Sequence, residues 1–210
     1  MNSLHTRIIS LPWRQMGALF VAFLVCTALW AEVQQNHLAD QVIRFHVLAN
    51  SDTPEDQALK LQVRDKVLAQ ANHLLEGDLS AEQAEALLRA ELPALQETAA
   101  RAIESAGYTY PVTVTLEDTW FPTRQYDGFS LPAGTYEALR VIIGEGQGKN
   151  WWCVVFPSLC MPSVTEGSLE TAGLSRKDSA LLTEESQPYV IRFKAVEWWE
   201  NLKHALSSRP

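Results

Sequence analysis

The sequence predicts an α+β fold, in which one small domain holds a mixed or antiparallel sheet of about four strands with helices on one face. Four segments alternate apolar and polar residues, as strands do, and three others repeat apolar residues at helical spacing. Their order is β-α-α-β-β-β-α, which favours helices packed on one side of a sheet. A composition of 47% hydrophobic and 20% charged residues is typical of a globular protein.

An uncharged apolar run precedes this domain and predicts an N-terminal signal or anchor helix. Residues 16–31 carry no charge, Arg7 and Arg14 stand before them, and all 25 acidic residues follow them. A positive flank ahead of an apolar run predicts that the N-terminus stays in the cytoplasm. The run is shorter than the roughly 20 residues of a full membrane span, so a cleaved signal peptide and a retained anchor both stay open. We therefore divide the chain into a signal or anchor at 1–31 and an exported domain at 32–210.

The first strand is predicted over residues 41–49, which read QVIRFHVLA. Apolar Ile43 and Val47 alternate here with polar Arg44 and His46. We therefore expect a half-buried strand with Arg44 and His46 on its polar face.

Two helices are predicted after this strand. Thr53 can cap the first helix and Pro54 fits its first position, so this helix runs to about Leu75, with Lys60 on its polar face. A capping-box pattern begins at Ser80 and marks the start of the second helix. This helix is predicted to run to about residue 106. A proline at position 93 would kink this helix or split it in two.

Three more strands are predicted at 110–117, 136–143 and 151–156, and a final helix at about 191–206. Residues 144–150, GEGQGKN, join the last two strands, and their spaced glycines predict a hairpin loop. A phosphate-binding glycine loop would open a helix and end in Gly-Lys-Ser or Gly-Lys-Thr, whereas this run leads into a strand. We therefore set nucleotide binding aside.

The charge pattern excludes several classes of function. The net charge is −8 and no basic patch is visible, so we predict no nucleic-acid partner. No Cys-x-x-Cys motif is present, which excludes a zinc ribbon and a thioredoxin-type site. His46 lies near Asp52, Glu55 and Asp56, but the spacing matches no metal motif, and acidic residues near a helix start suit the helix dipole. We predict no metal, no cofactor and no catalytic residue.

Cys153 and Cys160 allow two interpretations. In an exported domain, two cysteines are more often a disulfide than a reactive pair, so we predict a Cys153–Cys160 bridge. The alternative is an envelope hydrolase, in which Cys153 or Cys160 is the nucleophile and His46 its base.

Two adjacent tryptophan pairs, at 151–152 and 198–199, suggest a third function. On a strand, one ring of such a pair faces each side of the sheet. The C-terminal helix either packs its own pair over the strand pair or leaves an exposed aromatic patch. An exposed patch would suit a wall-binding structural protein.

Several segments together resemble a known family. They are IRFHVLANSD at 43–52, QALKLQVRD at 57–65, YEALRV at 136–141, GEGQGKNWWCVVFPSLC at 144–160 and RFKAVEWW at 192–199. In these segments, which span roughly residues 41 to 202, the chain resembles stage II sporulation protein R of endospore-forming bacteria.

The resemblance implies a signalling role and no enzymatic activity. Members of this family are made in the forespore and exported to the space between the forespore and mother-cell membranes. There they trigger a membrane-embedded aspartic protease, which cleaves pro-sigma-E. We therefore expect a protein that is exported across the forespore membrane, anchored or secreted, and that contacts the extracytoplasmic part of this protease.

A partner-binding surface is predicted where polar residues lie in a turn, a loop and one strand face, since such residues are less needed for packing. The candidate residues are Arg44, His46, Asn50, Ser51, Asp52, Asn150 and Trp151.

Overall fold

The computed structural model describes residues 15–23, 25–26, 38–126 and 129–160. The elements in chain order are β1 (Ile43–Leu48), α1 (Pro54–Leu74), α2 (Ala81–Ser105), β2 (Val112–Phe121), β3 (Arg124–Tyr126), β4 (Phe129–Leu131), β5 (Gly134–Ile143) and β6 (Asn150–Phe156). Residues 15–23 and 25–26 are also helical. Within the described ranges, no helix has the length and apolar character needed to cross a membrane. The predicted helix at about 191–206 lies outside the described residues.

Four strands form one mixed sheet in the order β2-β5-β1-β6. Strands β1 and β5 are parallel, whereas β6 is antiparallel to β1 and β2 is antiparallel to β5. The prediction of a mixed sheet of about four strands is therefore confirmed. Strands β3 and β4 form a separate short hairpin, which lies outside the four predicted strands.

Both helices pack on the same face of the sheet, and their caps form as predicted. The Thr53 side chain accepts a hydrogen bond from the Asp56 N–H, and Ser80 and Gln83 form a capping box at the start of α2. Helix α2 continues through Pro93 as one element, so a division into two helices is wrong. The apolar cluster between the helices and the sheet contains buried residues of both helices and of the sheet strands, among them Phe45, Leu59, Val63, Leu88, Leu95 and Leu139.

The second face of the sheet is covered as well, so the expectation of a half-buried β1 is wrong. Arg44 is fully buried and His46 is 3% exposed. A second apolar cluster, which includes Leu38, Phe121 and Tyr136, covers this face. Aromatic rings can cover cationic or imidazole side chains, so alternating polar residues along a strand do not by themselves indicate a solvent-exposed face.

The glycine-rich connection is not a hairpin loop. Its flanking strands, β5 and β6, are not neighbours, because β1 lies between them in the sheet. The connection from Gly144 to Lys149 therefore crosses the carboxyl end of β1. There the N–H of Gly148 donates to the carbonyl of Ala49 over 2.9 Å, and the N–H of Gln147 donates to the carbonyl of Asn50.

Candidate functional site

Two partly exposed segments meet at the carboxyl ends of the parallel strands β1 and β5. They are the turn Asn50–Asp52 and the connection Gly144–Lys149, which we together call the turn–loop junction. The side chains of Asp52, Glu145 and Lys149 are exposed there. The carboxyl ends of parallel strands are a common position for binding sites in α/β sheets, since loops of different strands converge at that edge.

Side-chain and backbone hydrogen bonds join the two halves of the junction. The Asn50 Oδ1 atom accepts a hydrogen bond from the N–H of Glu145 over 3.0 Å. The Asp52 carboxylate accepts one from the N–H of Lys149 over 2.7 Å. The Asn50 and Asp52 side chains thus accept hydrogen bonds from backbone N–H groups of the connection. The three predicted candidates of the turn, Asn50, Ser51 and Asp52, lie together at this junction.

The buried carboxylate of Asp56 holds the turn in place through hydrogen bonds. The Ser51 hydroxyl and the Asn50 amide donate to Asp56 Oδ2 over 2.6 and 2.9 Å. Asp56 is 4% exposed. The hydrogen bond from Ser51, followed by that from Asn50, lowers the pKa of Asp56 below its ordinary value. Sequence reasoning assigned Asp56 to the helix dipole and missed this role, because it depends on how the preceding turn folds back.

Lys60 fixes the other half of the junction. Its ammonium donates to the Lys149 carbonyl over 2.9 Å and to the Gln57 amide oxygen over 2.6 Å. Lys60 is 5% exposed, so its predicted place on a solvent-facing side of α1 is wrong. Burial, and then the nearby charge of Arg64, lowers the pKa of Lys60. The only sequence signal is the spacing of Asp56 and Lys60, one helical turn apart, because their burial depends on the folded chain.

Two glycines allow the halves to come this close. Gly144 has a φ of +58°, and a Cβ there would lie 2.2 Å from Asn50 Oδ1. A Cβ at Gly148 would lie 2.2 Å from the Ser51 carbonyl oxygen. Only a residue without a side chain fits either position, so the glycine spacing serves a close backbone approach.

The other two predicted candidates of β1 do not lie at the surface. The Arg44 guanidinium carbon lies 4.0 Å from the centre of the Phe121 ring and 5.0 Å from that of Tyr136. His46 stacks on Trp152, with ring centres 5.0 Å apart. Both side chains therefore pack against aromatic residues of the second apolar cluster.

A network of polar contacts extends from His46 to the surface. His46 Nε2 accepts a hydrogen bond from Arg140 Nε over 2.8 Å, so the ring proton resides on Nδ1. Arg140 also binds Glu117. Burial, followed by the charges of Arg140 and Arg44, lowers the pKa of His46 to about 4, so the ring is neutral at pH 7.

The tryptophans of β6 point to opposite faces, as predicted. Trp151 lies edge-on to Phe45 on the helix side, with the Arg64 guanidinium 4.6 Å from its ring centre. Trp152 lies on the other side, with Arg124 4.9 Å from its ring centre. Asn150, the first residue of β6, joins this pair to the turn–loop junction. The second tryptophan pair, at 198–199, lies outside the described residues.

The two cysteines are paired and do not face His46. The sulfur atoms of Cys153 and Cys160 lie 2.06 Å apart, within bonding distance. Cys153 stands opposite Phe45 in the sheet and His46 stands opposite Trp152, so Cys153 and His46 point to opposite faces. The structure does not bring the proposed nucleophile and base together. Within the described ranges, no group of three or more histidine, cysteine or acidic side chains is placed to hold a metal ion.

Comparisons with known proteins agree with the resemblance seen in the sequence. The family model described as stage II sporulation protein R matches residues 39–166. The stage II sporulation protein R of Bacillus subtilis (strain 168) is 38% identical over 141 residues, which are 67% of this chain and 63% of that protein. The chain thus spans just under two thirds of the relative's length. No solved structure matches.

Proposed function

Since the chain belongs to the stage II sporulation protein R family, a family of sporulation signalling proteins, we propose that it activates the protease that processes pro-sigma-E. In this proposal, the chain is made in the forespore and exported across its membrane. It is anchored or released in the intermembrane space. There its folded domain contacts the extracytoplasmic part of a membrane-embedded aspartic protease in the mother-cell membrane.

The observation that carries this proposal is the turn–loop junction. It joins two of the segments that carry the family resemblance, although Asn50 and Glu145 are 95 residues apart in the chain. Buried Asp56 and Lys60 hold the two segments in one arrangement, while Asp52, Glu145 and Lys149 remain exposed. A rigid, polar and exposed surface suits recognition of a protein partner, because little conformational entropy is lost when it binds.

Activation by such a surface requires a difference in affinity. A ligand shifts its partner between inactive and active states only when it binds one of them more tightly. The domain would therefore bind the active form of the protease better than the inactive form. No covalent chemistry on the chain is required, which agrees with the separation of His46 from Cys153.

The proposed export agrees with two features of the chain. The apolar run at 16–31 follows two arginines, as in signal and anchor segments. The Cys153–Cys160 bridge suits an oxidising space outside the cytoplasm.

A pull-down tests direct contact. Purified full-length chain is incubated with the extracytoplasmic portion of the protease, with and without reductant. We expect saturable binding, which decreases on reduction only to the extent that loss of the Cys153–Cys160 bridge unfolds the domain. The variant Asp52→Ala should bind several-fold more weakly, because it removes an exposed carboxylate and the acceptor of the Lys149 N–H.

The matched control is Glu104→Ala, which removes an exposed carboxylate from α2. It should bind as the unaltered chain does. Absence of binding with and without reductant would contradict direct activation and favour an indirect route, through an enzymatic activity of the chain or through a third protein.

A further inference from the structure

The sheet has two outer edges, and helix α2 shields one of them. Strand β2 forms this edge. The Gln96 side chain accepts a hydrogen bond from the N–H of Val114 over 3.2 Å. The Arg89 guanidinium reaches the Leu116 carbonyl at 3.5 Å. These helix side chains occupy backbone groups that an edge strand would otherwise offer to another chain.

Strand β6 forms the other edge, and its two halves differ. The segment after it turns back, so that the N–H of Leu159 donates to the Val154 carbonyl over 3.4 Å. Because N–H and C=O groups of alternate residues point the same way in an antiparallel strand, the backbone groups of Trp152 and Asn150 point outward with those of Val154. In the part of the chain that the structure describes, no backbone group pairs with Asn150 or Trp152 on this side.

Three cationic side chains lie close to this open half of the edge. Arg64 lies over Trp151 on one face of the sheet, and Arg124 lies over Trp152 on the other. Lys149 directly precedes the strand. Arg64 pairs at 2.6 Å with the exposed carboxylate of Asp65. Arg124 has no ion-pair partner among the described residues. Three cations thus flank a short strand edge in a chain whose net charge is −8.

We propose that the open edge of β6 at Asn150–Trp152 accepts an extended acidic segment of a partner protein as an additional strand. The backbone of that segment would pair with the outward groups of Asn150 and Trp152. Consecutive side chains of a strand point to opposite faces, so two adjacent acidic residues would reach Arg64 on one face and Arg124 on the other. The identity of the partner rests on the proposed function, whereas the shape and charge of the edge do not.

A synthetic peptide tests this docking mode independently of the protease. The probe is the peptide Val-Thr-Glu-Asp-Val-Thr, and the control peptide carries Lys-Lys in place of Glu-Asp. Hydrogen exchange of the full-length chain is followed by mass spectrometry over residues 150–154. We expect the acidic peptide to slow exchange at this segment several-fold and the lysine peptide to leave it unchanged.

Two substitutions of one residue test the backbone pairing. Asn150→Pro removes an outward N–H at the first position of an edge strand, where proline is tolerated. It should weaken peptide binding up to about tenfold, the equivalent of one hydrogen bond at the upper end of its net contribution. Asn150→Thr keeps the N–H and should bind within about twofold of the unaltered chain. Exchange elsewhere in the sheet reports that both variants are folded.

The charge contribution is tested on its own. Arg124→Gln should weaken binding of the acidic peptide several-fold, whereas Arg101→Gln, on exposed α2 surface, should not. Equal protection by both peptides, or no slowing of exchange by the acidic peptide at millimolar concentration, would overturn the inference. Such a result leaves the proposed function intact, since that is judged by the protease pull-down alone.

Discussion

Two buried charged residues determine the shape of the turn–loop junction. Asp56 gathers the polar groups of the turn, and Lys60, one helical turn later, binds the backbone of the connection. Burying a charge is costly unless hydrogen bonds compensate, so each residue holds its neighbours in a single arrangement. Neither side chain needs to contact a partner in order to matter for binding.

Loss of the Asp56 carboxylate should destabilise the domain. Asp56→Ala leaves the Asn50 amide and the Ser51 hydroxyl without their acceptor, at an expected cost of about 2 kcal/mol in the free energy of unfolding. Urea denaturation measures this cost. Asp65→Ala removes an exposed carboxylate from the same helix and should change stability by less than about 0.5 kcal/mol. Equal effects of the two substitutions would show that Asp56 does not hold the turn.

His46 should make the stability of the domain depend on pH. Its pKa falls from 6.5 to about 4 on folding, so the unfolded chain takes up this proton first. The contribution of His46 is therefore complete above about pH 6.5 and declines as the pH falls towards 4, with about 2 kcal/mol lost between pH 7.5 and 5. His46→Gln keeps an acceptor for Arg140 but does not titrate. Urea denaturation at both pH values should show a smaller pH effect in this variant, and an unchanged pH effect would contradict the assignment.

At the scale of the elements, the connection between β5 and β6 acts as a crossing and not as a turn. It passes over the end of β1 and reaches the far side of that strand. Sequence reasoning expected a hairpin, because consecutive strands are most often neighbours. Strand β1 comes from a distant part of the chain and lies between β5 and β6, and no local sequence pattern indicates this.

A methyl group at the crossing should separate its two segments. Gly148→Ala places a Cβ 2.2 Å from the Ser51 carbonyl oxygen, which is a backbone atom and cannot rotate away. We expect a loss of about 1–3 kcal/mol in the free energy of unfolding, as for other overpacked sites. Gln147→Ala changes an exposed neighbour and serves as the control in the same thermal or urea denaturation. A stable Gly148→Ala variant with unchanged exchange at Ser51 would contradict the close approach.

The disulfide at the end of β6 should contribute to the stability of the domain and not to catalysis. Replacing Cys153 and Cys160 together by Ala opens a short loop and should cost about 2–3 kcal/mol. Signalling should persist at temperatures where the variant remains folded, as judged by circular dichroism. Loss of signalling with an intact fold would instead favour chemistry at a cysteine, as in the hydrolase alternative.

For the whole molecule, the sequence predicts local structure better than it predicts burial. Helix starts at Thr53 and Ser80 follow from hydrogen bonds within a few residues, so both caps are predicted correctly. The burial of Arg44 and His46 depends on Phe121 and Tyr136, which are distant in the chain, so strand alternation could not reveal it. The same limit applies to the site. The Asn50–Asp52 turn was predicted as candidate surface, but its joining to Gly144–Lys149 through Asp56 and Lys60 is a property of the assembled sheet.

Processing of pro-sigma-E is the most direct test of the proposed signalling role. The protease and its substrate are produced together in a non-sporulating host, with or without full-length chain directed to the extracytoplasmic side. We predict cleavage of pro-sigma-E only when the chain is present, and reduced cleavage with Gly148→Ala. Equal cleavage with and without the chain, or no cleavage in either case while the protease is active with another family member, would contradict the proposed function.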